Sequence, residues 1–538
     1  MNAPHFRFIK WTLLIMIFFS GFVAPVSARE VPWSELYQQA VSLYQKGKHP
    51  QALNAAQTAW KMAQSSFTPG DSRNADSLVI LASIERVLGM YLSAENDFQG
   101  ALIIREKIFG INNLNCVECL TNLAEMELDQ ENFEKAALYG ERALDVVKKN
   151  LEEKYPEHPV IAEVSVLVAE IYLGLWRLEE AGQICEPALG TLEKVYGKKH
   201  SAYAWAQIVT AQINYGLNPK NKVDISDARE ILSKYNKGKN TWLGSAWFFE
   251  GRVNQAKGDY KRAISCYKKA QEVWGKALSS NHPLVGKAIV GLGEVYQLQA
   301  KYPKALSLYE NAQRIWEGAF GLAHPFLAMV LFLEAETQYS EGKESLAGLT
   351  FHRSLVLQEK ISGSENPGTV KCLIRIAEIY QIYGQYSEAE PLCDQTLDVI
   401  IPLAPPNASI VGITRSLRGR IYMNQGRLEE AETEIKAALE ILQANTPNDK
   451  LELTKCLLNQ ARLLVLTGKY EEALSLFKKE FDTLEKALGA NHLYLAMILE
   501  DRAELSERLG KVEEAQKLRK RAEVIRAKKQ AKFIFNFS

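Results

Sequence analysis

Two of the seven cysteines lie three positions apart, in the segment Cys-Val-Glu-Cys at 116–119. A thiol pair at this spacing can cycle between dithiol and disulfide, as in redox proteins. The surrounding sequence lacks the strand and helix pattern of a thioredoxin-like domain, and Cys119, Cys372 and Cys456 occupy the same position of a repeated segment. Residues that recur in register are most simply buried small apolar groups. We therefore favour structural cysteines, and a Cys116–Cys119 disulfide or a redox function is the alternative.

Four histidines also recur at one position of the repeated segment: His158, His282, His324 and His492. Three of them precede a proline, and Asn366 takes the same place before Pro367. A metal site needs several ligands that converge in space, whereas these imidazoles come one per repeat. We expect each to lie at the start of a helix, where its side chain accepts a hydrogen bond from a free backbone N–H group. No metal and no cofactor are expected.

The sequence carries none of the common catalytic signatures. It has no Gly-rich phosphate loop of the Walker type, no His-Glu-x-x-His zinc helix, no nucleophile elbow and no Rossmann fingerprint. Carboxylates are abundant, but none stands out as a lone acid in an apolar setting. We therefore expect a protein that is not an enzyme.

Composition and charge narrow the class of partner. Of the 538 residues, 47% are apolar and 24% charged, so the chain can bury a large core and is not of the disordered class. The 64 basic and 64 acidic residues cancel, and no basic excess appears before the last twenty residues. A nucleic-acid binder would be expected to show such an excess. Nucleic acid is therefore not an expected partner.

The N-terminus is typical of a secretory signal peptide. Basic residues Arg7 and Lys10 precede an apolar stretch over 11–23, and small residues lead up to Ala28. A membrane anchor is the alternative, but thirteen residues rise only about 20 Å as a helix, against a hydrocarbon core of about 30 Å. We expect export with cleavage near Ala28, which would place the mature protein in the periplasm or outside the cell.

One alanine recurs along the chain, and eight of its eleven steps are 42 residues. The series is Ala52, Ala94, Ala136, Ala181, Ala228, Ala263, Ala305, Ala347, Ala389, Ala431, Ala473 and Ala515. Twelve residues before each member stands another small residue. This second series is Ala40, Ala82, Ala124, Ala169, Gly216, Gly251, Gly293, Ala335, Ala377, Gly419, Ala461 and Ala503. Two registered columns of small residues imply a steric requirement.

Close packing of paired helices would create that requirement. In the ninth repeat, apolar residues at helical spacing run from Cys372 to Tyr383 and stop at Gly384, which can take the left-handed conformation that ends a helix. A second amphipathic helix then runs to about Ile401. Helix axes that approach to about 8 Å need a small residue on each side of the contact. A turn glycine stands five residues before the alanine in eight repeats, at Gly47, Gly89, Gly258, Gly342, Gly384, Gly426, Gly468 and Gly510.

These features resemble the tetratricopeptide repeat (TPR). The resemblance is carried by Ala377, Tyr380, Gly384, Tyr386, Ala389 and Thr396, with Ala438 and Ala522 in the Thr396 register. The 42-residue length, the His-Pro pairs and stretches such as GQYSEAEPL are similar to the kinesin light chain and nephrocystin type of repeat. The resemblance covers about residues 34–525, except that Tyr235 and Glu480 replace small residues. It implies an all-α, right-handed α-solenoid of about twelve helix-turn-helix units whose first helices line a concave groove.

The predicted domain organisation follows from these patterns. Residues 1–28 form the signal peptide, and residues 29–215 hold repeats 1–4 and the start of repeat 5. An irregular segment covers 216–245, where the 42-residue period is broken. Residues 246–525 hold repeats 6–12, and a basic and aromatic tail covers 526–538.

In the geometry that the resemblance implies, the residue after each first-helix small residue faces the groove. The predicted partner-binding residues of this column are Glu125, Glu170, Arg252, Glu294, Glu336, Glu378, Arg420 and Arg462. Asn122, Asn214 and Asn459 lie on neighbouring faces, where they could bond a peptide backbone. The mixed sign of the column favours protein or peptide segments as partners. The alternative is that the column forms Glu and Arg ladders between adjacent repeats.

Two further segments leave alternatives open. Aromatic residues cluster at 242–249, beside the irregular segment, and could be core or an anchor pocket for a partner side chain. The C-terminal tail combines basic and aromatic residues, which could touch an anionic membrane surface or cap the last repeat.

Taken together, the sequence predicts an exported, non-enzymatic TPR scaffold that binds protein or peptide partners in its groove. The alternatives are an envelope-associated assembly factor that contacts a membrane through the tail, and a redox protein that uses Cys116 and Cys119. No feature of the sequence indicates an oligomeric state.

Overall fold

A computed structural model describes residues 32–235, 240–403, 408–445, 450–490 and 492–530. Within these ranges the regular structure is helical throughout, with 24 α-helices, a short 3-10 helix and no strand. The predicted signal peptide lies outside the described residues. The expectation of an all-α helical repeat fold is confirmed for the part of the chain that the structure describes.

The helices form twelve consecutive pairs, one pair per repeat. Repeats 1–6 contain α1 (Trp33–Gln45), α2 (His49–Ser66), α3 (Ser72–Leu88), α4 (Tyr91–Phe109), α5 (Val117–Asp129), α6 (Phe133–Leu151), α7 (Pro159–Gly174), α8 (Leu178–Tyr196), α9 (Ser201–Leu217), α10 (Ser226–Lys234), α11 (Thr241–Ala256) and α12 (Tyr260–Ala277). Repeats 7–12 contain α13 (Pro283–Leu298), α14 (Tyr302–Phe320), α15 (Pro325–Ser340), α16 (Glu344–Ser362), α17 (Pro367–Ile382), α18 (Tyr386–Leu403), α19 (Ser409–Asn424), α20 (Leu428–Ala444), α21 (Lys450–Leu466), α22 (Tyr470–Leu488), α23 (Leu493–Arg508) and α24 (Val512–Gln530).

The chain divides into two compact bodies. The N-terminal body comprises the described residues up to Val295 together with Asn311–Gly321. The C-terminal body comprises Tyr296–Glu310 and the described residues from Leu322 onward. Each body has its own hydrophobic core of stacked helix pairs.

The two columns of small residues lie where the helices of a repeat touch. All twelve alanines of the first column are at most 1% exposed. In the second column, a Cβ added at Gly251 would stand 2.7 Å from the Tyr267 ring, and one added at Gly419 would stand 2.8 Å from Ile435. Real Cβ atoms essentially never approach so closely, so these positions require small residues. The prediction of close helix packing is confirmed.

In eleven of the twelve repeats, the turn between the two helices holds a residue in the left-handed region. All eight predicted turn glycines have φ between 71° and 81°. At Gly89, the backbone N–H donates to the Arg86 carbonyl at 3.0 Å and the Met90 N–H donates to the Glu85 carbonyl at 2.9 Å, which satisfies two carbonyls at the helix end. The same position in repeats 3, 4 and 7 holds Glu131, Trp176 and Ala300, each with φ between 56° and 59°.

The recurring histidines begin first helices, as predicted. The Nδ1 atoms of His158, His282, His324 and His492 each accept a hydrogen bond from the backbone N–H group two residues later, at 3.2 to 3.3 Å. Asn366 Oδ1 accepts the equivalent bond from Gly368 at 2.7 Å. These side chains satisfy backbone donors that a helix start leaves free.

The irregular segment coincides with a short helix. The second helix of repeat 5 spans only nine residues, Ser226–Lys234, whereas the second helices of the neighbouring repeats span eighteen or nineteen. A loop of residues 218–225 replaces the usual tight turn before it. The break in the 42-residue period therefore corresponds to a locally altered repeat.

The last helix extends into the segment predicted to be a tail. It runs to Gln530, and Arg526 donates from Nε and Nη2 to the two carboxylate oxygens of Glu500 at 2.6 and 2.7 Å. Residues 526–530 are thus part of the terminal helix, which corrects the predicted boundary. Residues 531–538 lie outside the described residues. None of the helices described here is long and apolar enough to span a membrane.

Candidate functional site

A cavity of about 580 Å³ lies in the N-terminal body, and three of the predicted groove residues line it. These are Glu125, Glu170 and Arg252, from the first helices of repeats 3, 4 and 6. Glu294 is not among the lining residues, and its carboxylate accepts a hydrogen bond from Gln255 Nε2 at 3.2 Å. The structure therefore brings together part of the predicted column.

Aromatic side chains form much of the cavity wall. The rings of Trp205 and Trp242 stack in parallel, with centroids 4.7 Å apart and an interplanar angle of 3°. Phe248 and Phe249 contribute from the same helix as Trp242, so the aromatic cluster at 242–249 lines the cavity as well as packing in the core. Trp176 also lines the cavity and is 75% exposed.

A partly buried ionic network lines part of the cavity. Arg86 donates to Glu125 Oε2 at 2.6 Å and to Asp129 Oδ2 at 2.8 Å. The Tyr91 hydroxyl lies 3.3 Å from Asp129 Oδ2 and 3.2 Å from His282 Nε2. The network joins residues of repeats 2, 3 and 7, so it fixes three first-helix or turn segments around the cavity.

Glu170 has a different environment from the other carboxylates of the cavity. Its Oε2 atom accepts a hydrogen bond from the Trp205 indole at 3.1 Å, and in the described part of the chain no Lys or Arg nitrogen lies within 4 Å of its carboxylate. Burial raises the pKa of Glu170 to about 7, although the Trp205 hydrogen bond lowers it; the Glu125 and Asp129 charges raise it further, and Lys287 lowers it. Glu170 is therefore an acid in an aromatic setting without a salt bridge.

Glu170 is a lone acid in an apolar setting, contrary to the expectation that no carboxylate stands out in this way, and the sequence carries a signal for it. Glu170 is the only charged residue between Val164 and Arg177. Position alone groups Glu170 with the other members of its column, whereas the apolar run around it distinguishes it from them.

Two residues at the cavity occupy unusual backbone conformations. Glu131 and Trp176 take the turn position that glycine fills in eight repeats, with φ of 59° and 57°. Both line the cavity, and Glu131 pairs with Lys287 at 2.5 Å. A non-glycine residue in this conformation costs about 1 kcal/mol or more, and such residues concentrate at binding sites. Interruptions of the turn-glycine column at 131 and 176 were the sequence signal for them.

In the C-terminal body, the predicted column is taken up by ion pairs within the chain. Arg375 bonds Glu336 at 2.7 Å and Glu378 at 2.8 Å, and Lys455 Nζ donates to the other oxygen of Glu378 at 2.8 Å. Lys455 lies two repeats beyond Glu378, so these contacts join repeats that are not adjacent. Glu378 is buried, and the two cations hold its pKa at about 2 against the effect of burial.

The basic pair of the column is engaged in the same way. Arg420 Nη1 donates to Asp501 Oδ2 at 2.5 Å, and both side chains are buried. Arg462 pairs with Asp501 at 3.3 Å and with Glu504. The expectation that Arg420 faces a groove is not met, because its charge is satisfied by a carboxylate two repeats away. The alternative prediction is that the column forms ladders between adjacent repeats. Arg462 and Glu504 join adjacent repeats, whereas Arg420 and Asp501 join repeats 10 and 12.

The three predicted asparagines are not brought together. Asn122 Nδ2 donates to the Glu118 carbonyl at 2.8 Å, and Asn459 Nδ2 donates to the Ser416 carbonyl at 3.2 Å. Asn214 is exposed and lines a separate pocket of about 450 Å³ beside the loop of repeat 5. The amide donors of Asn122 and Asn459 are thus already used within the chain.

The cysteine pair consists of two free thiols, and both are fully buried. Cys116 Sγ donates to the Gly110 carbonyl at 3.5 Å, and Arg105 Nη1 lies 3.6 Å from Cys119 Sγ. Burial raises the pKa of Cys119 to about 12, so the thiol stays protonated near neutral pH. A redox partner would have no exposed sulfur to attack, because thiolate and access are both required.

The described residues hold no cluster of three or more His, Cys, Asp or Glu side chains that could bind a metal ion. Stacked helix pairs around an aromatic and charged cavity define the class of protein, which is a helical-repeat protein. The chain belongs to the tetratricopeptide repeat family, whose sequence profile matches residues 73–149, 242–310, 285–347, 411–485 and 453–527. The resemblance read from the sequence is confirmed.

Several solved structures are similar to the chain. The apo form of RapI is similar with a TM-score of 0.50 at 14% identity, over 70% of this chain and 100% of that chain. A Rap protein complexed with Competence and Sporulation Factor has a TM-score of 0.46 at 16% identity, over 68% and 98%. A putative kinesin light chain with TPR-like repeats from Podosopora anserina has a TM-score of 0.26 at 20% identity, over 45% and 96%. A comparison with curated proteins finds no significant match.

Proposed function

We propose that the chain is an exported, non-enzymatic scaffold that holds a segment of a partner protein in the cavity of its N-terminal body. The observation that carries this proposal is the convergence of Glu125, Glu170 and Arg252 on one aromatic-lined cavity. Interaction sites typically combine large aromatic anchors with a few placed polar groups. Family membership supports a role in protein interaction.

A photo-crosslinker placed inside the cavity tests this proposal. Gln212 lines the cavity, whereas Gln183 is exposed elsewhere on the N-terminal body and offers a matched control position. We expect p-benzoylphenylalanine at position 212 to crosslink a defined partner segment in the native compartment, and a synthetic peptide of that segment to compete. Equal crosslinking from both positions, or none from position 212, would contradict the proposal.

Export rests on the sequence of residues 1–28. The basic start, the apolar stretch and the small residues before Ala28 support a cleaved signal peptide and a periplasmic or secreted mature protein. Fractionation of cells that express the full chain, followed by N-terminal sequencing, tests this step. We expect a mature N-terminus at Arg29, and a cytoplasmic protein that retains Met1 would contradict export.

Membrane contact through the tail is the second candidate. Its support is the aromatic end of the chain, Phe533-Ile534-Phe535-Asn536-Phe537, which follows basic residues. Because residues 526–530 belong to the last helix, the test should remove only 531–538. Liposome flotation that depends on these eight residues would favour the membrane candidate, and equal flotation of both forms would remove it.

A further inference from the structure

Among the described residues, one carboxylate of the cavity has no cation beside it, since Arg252 also lines the cavity but makes no ion pair with Glu170. Arg86 pairs with Glu125 and Asp129, and Lys287 pairs with Glu131. The carboxylate of Glu170 has the Trp205 indole N–H as its hydrogen-bond donor. An ionised carboxylate in a partly dry site gains most from an opposite charge placed beside it. The cavity therefore lacks one positive charge next to Glu170.

The surroundings of Glu170 favour a particular kind of cation. Trp205 donates to the carboxylate and stacks on Trp242, so the aromatic wall begins at the acid itself. Trp176, six residues after Glu170, lines the same cavity with most of its surface exposed. Indole faces attract cations and also cover apolar chains. A cation carried on an alkyl chain matches both the charge and the wall.

We propose that the cavity binds the cationic side chain of a lysine or arginine in a partner polypeptide, with its charge on Glu170 and its alkyl chain along Trp176 and Trp242. This inference rests on the proposed function and deepens it by naming the recognised side chain. A polypeptide is favoured over a free amine because 580 Å³ exceeds what one side chain fills, so neighbouring residues of a segment have room.

The backbone at the rim of the cavity supports this assignment. The turn of repeat 4 holds Trp176 with φ of 57°, where eight other repeats use glycine. The tryptophan is 75% exposed, so it gains little from packing within the chain to offset this conformation. A ligand that packs on the indole would supply the missing contact.

The test uses a positional-scanning library of nonapeptides, presented to labelled protein comprising residues 29–538. We expect the protein to prefer Lys or Arg over Gln and norleucine at one library position by at least tenfold. Glu170→Gln should remove this preference. Glu186→Gln, an identical change at an exposed residue of the same body, should retain it. Circular dichroism of both variants establishes that their helices are intact.

The pH dependence of the preference for Lys or Arg peptides provides a second readout. A merely structural role of Glu170 would not produce it. The bound cation favours ionised Glu170, whose pKa in the empty cavity is about 7. The preference for Lys or Arg should therefore fall below pH 7, by up to tenfold per pH unit, and should not change with pH in Glu170→Gln.

Three results would overturn the inference: no library preference for a cationic residue, a preference that Glu170→Gln retains, or saturation by spermidine alone without peptide binding. The last result would identify a site for small amines. The proposed function has its own test at position 212, so crosslinking to a partner segment without any cationic preference would overturn this inference and leave the scaffold function standing.

Discussion

Replacing Glu170 with glutamine should stabilise the ligand-free protein at pH 8. Glutamine has nearly the same shape, and its carbonyl oxygen can still accept the hydrogen bond from the Trp205 indole. The variant removes a negative charge that burial disfavours. The protein should therefore become more stable while losing its preference for cationic peptides, which separates binding from folding.

The magnitude follows from the pKa of Glu170, which is about 7 in the folded protein and 4.5 ordinarily. A difference of about 2.5 in pKa corresponds to roughly 3 kcal/mol of destabilisation at pH 8. Glu170 is partly exposed to the water of the cavity, so we expect about 1 to 2 kcal/mol. Because the pKa is raised in the folded protein, the destabilisation by Glu170 is small below pH 4.5, grows between pH 4.5 and pH 7, and is constant above pH 7.

Thermal unfolding of wild type, Glu170→Gln and Glu186→Gln at pH 5 and pH 8 provides the assay. A change of 1 to 2 kcal/mol shifts the melting temperature of a body of this size by about 2 to 4 °C. Glu170→Gln should show most of this gain at pH 8 and little at pH 5, and Glu186→Gln should show none. A loss of stability at pH 8, or an equal gain at both pH values, would show that ionised Glu170 does not destabilise the folded protein.

Three further predictions address other parts of the molecule. Trp176→Gly should stabilise the N-terminal body by about 1 kcal/mol, since glycine suits a φ of 57°, and should weaken peptide binding. Thermal melts measure the stability, and library titration measures the binding. Unchanged binding would contradict a role for the indole. Arg420→Ala should destabilise the C-terminal body by about 3 kcal/mol, because it leaves Asp501 buried with a weaker partner. Peptide binding by the N-terminal body should persist. Urea titration followed by circular dichroism measures the free energy of unfolding, and an unchanged value would contradict the importance of the buried pair. Cys116→Ala with Cys119→Ala should preserve helicity and peptide binding, since both thiols are buried, and loss of binding with intact helicity would revive the redox candidate.

Local features of the repeat could be predicted from the sequence. The two columns of small residues, the turn glycines and the helix-starting histidines all act within one repeat, over a dozen residues or so. Each reflects a rule of helix geometry that does not depend on the rest of the chain: close approach, a left-handed turn, or a free N–H group. The small residues recur in all twelve repeats, the turn glycines in eight and the histidines in four, so each signal is seen several times.

The site depends on contacts between repeats, and these could not be predicted. Tyr91 meets His282 across 191 residues, and Lys455 meets Glu378 across 77. Such pairings arise from small rotations between successive helix pairs, which no single repeat encodes. The column of charged residues therefore contained both the cavity acid Glu170 and the buried cation Arg420, although their side chains have opposite roles.

A crystal structure of residues 29–538 with a library-selected peptide tests the central claim most directly. We expect the peptide to lie in the cavity of the N-terminal body, with a lysine or arginine nitrogen about 2.8 Å from a carboxylate oxygen of Glu170. A peptide bound on the C-terminal body, or one that directs an acidic or apolar side chain at Glu170, would contradict it.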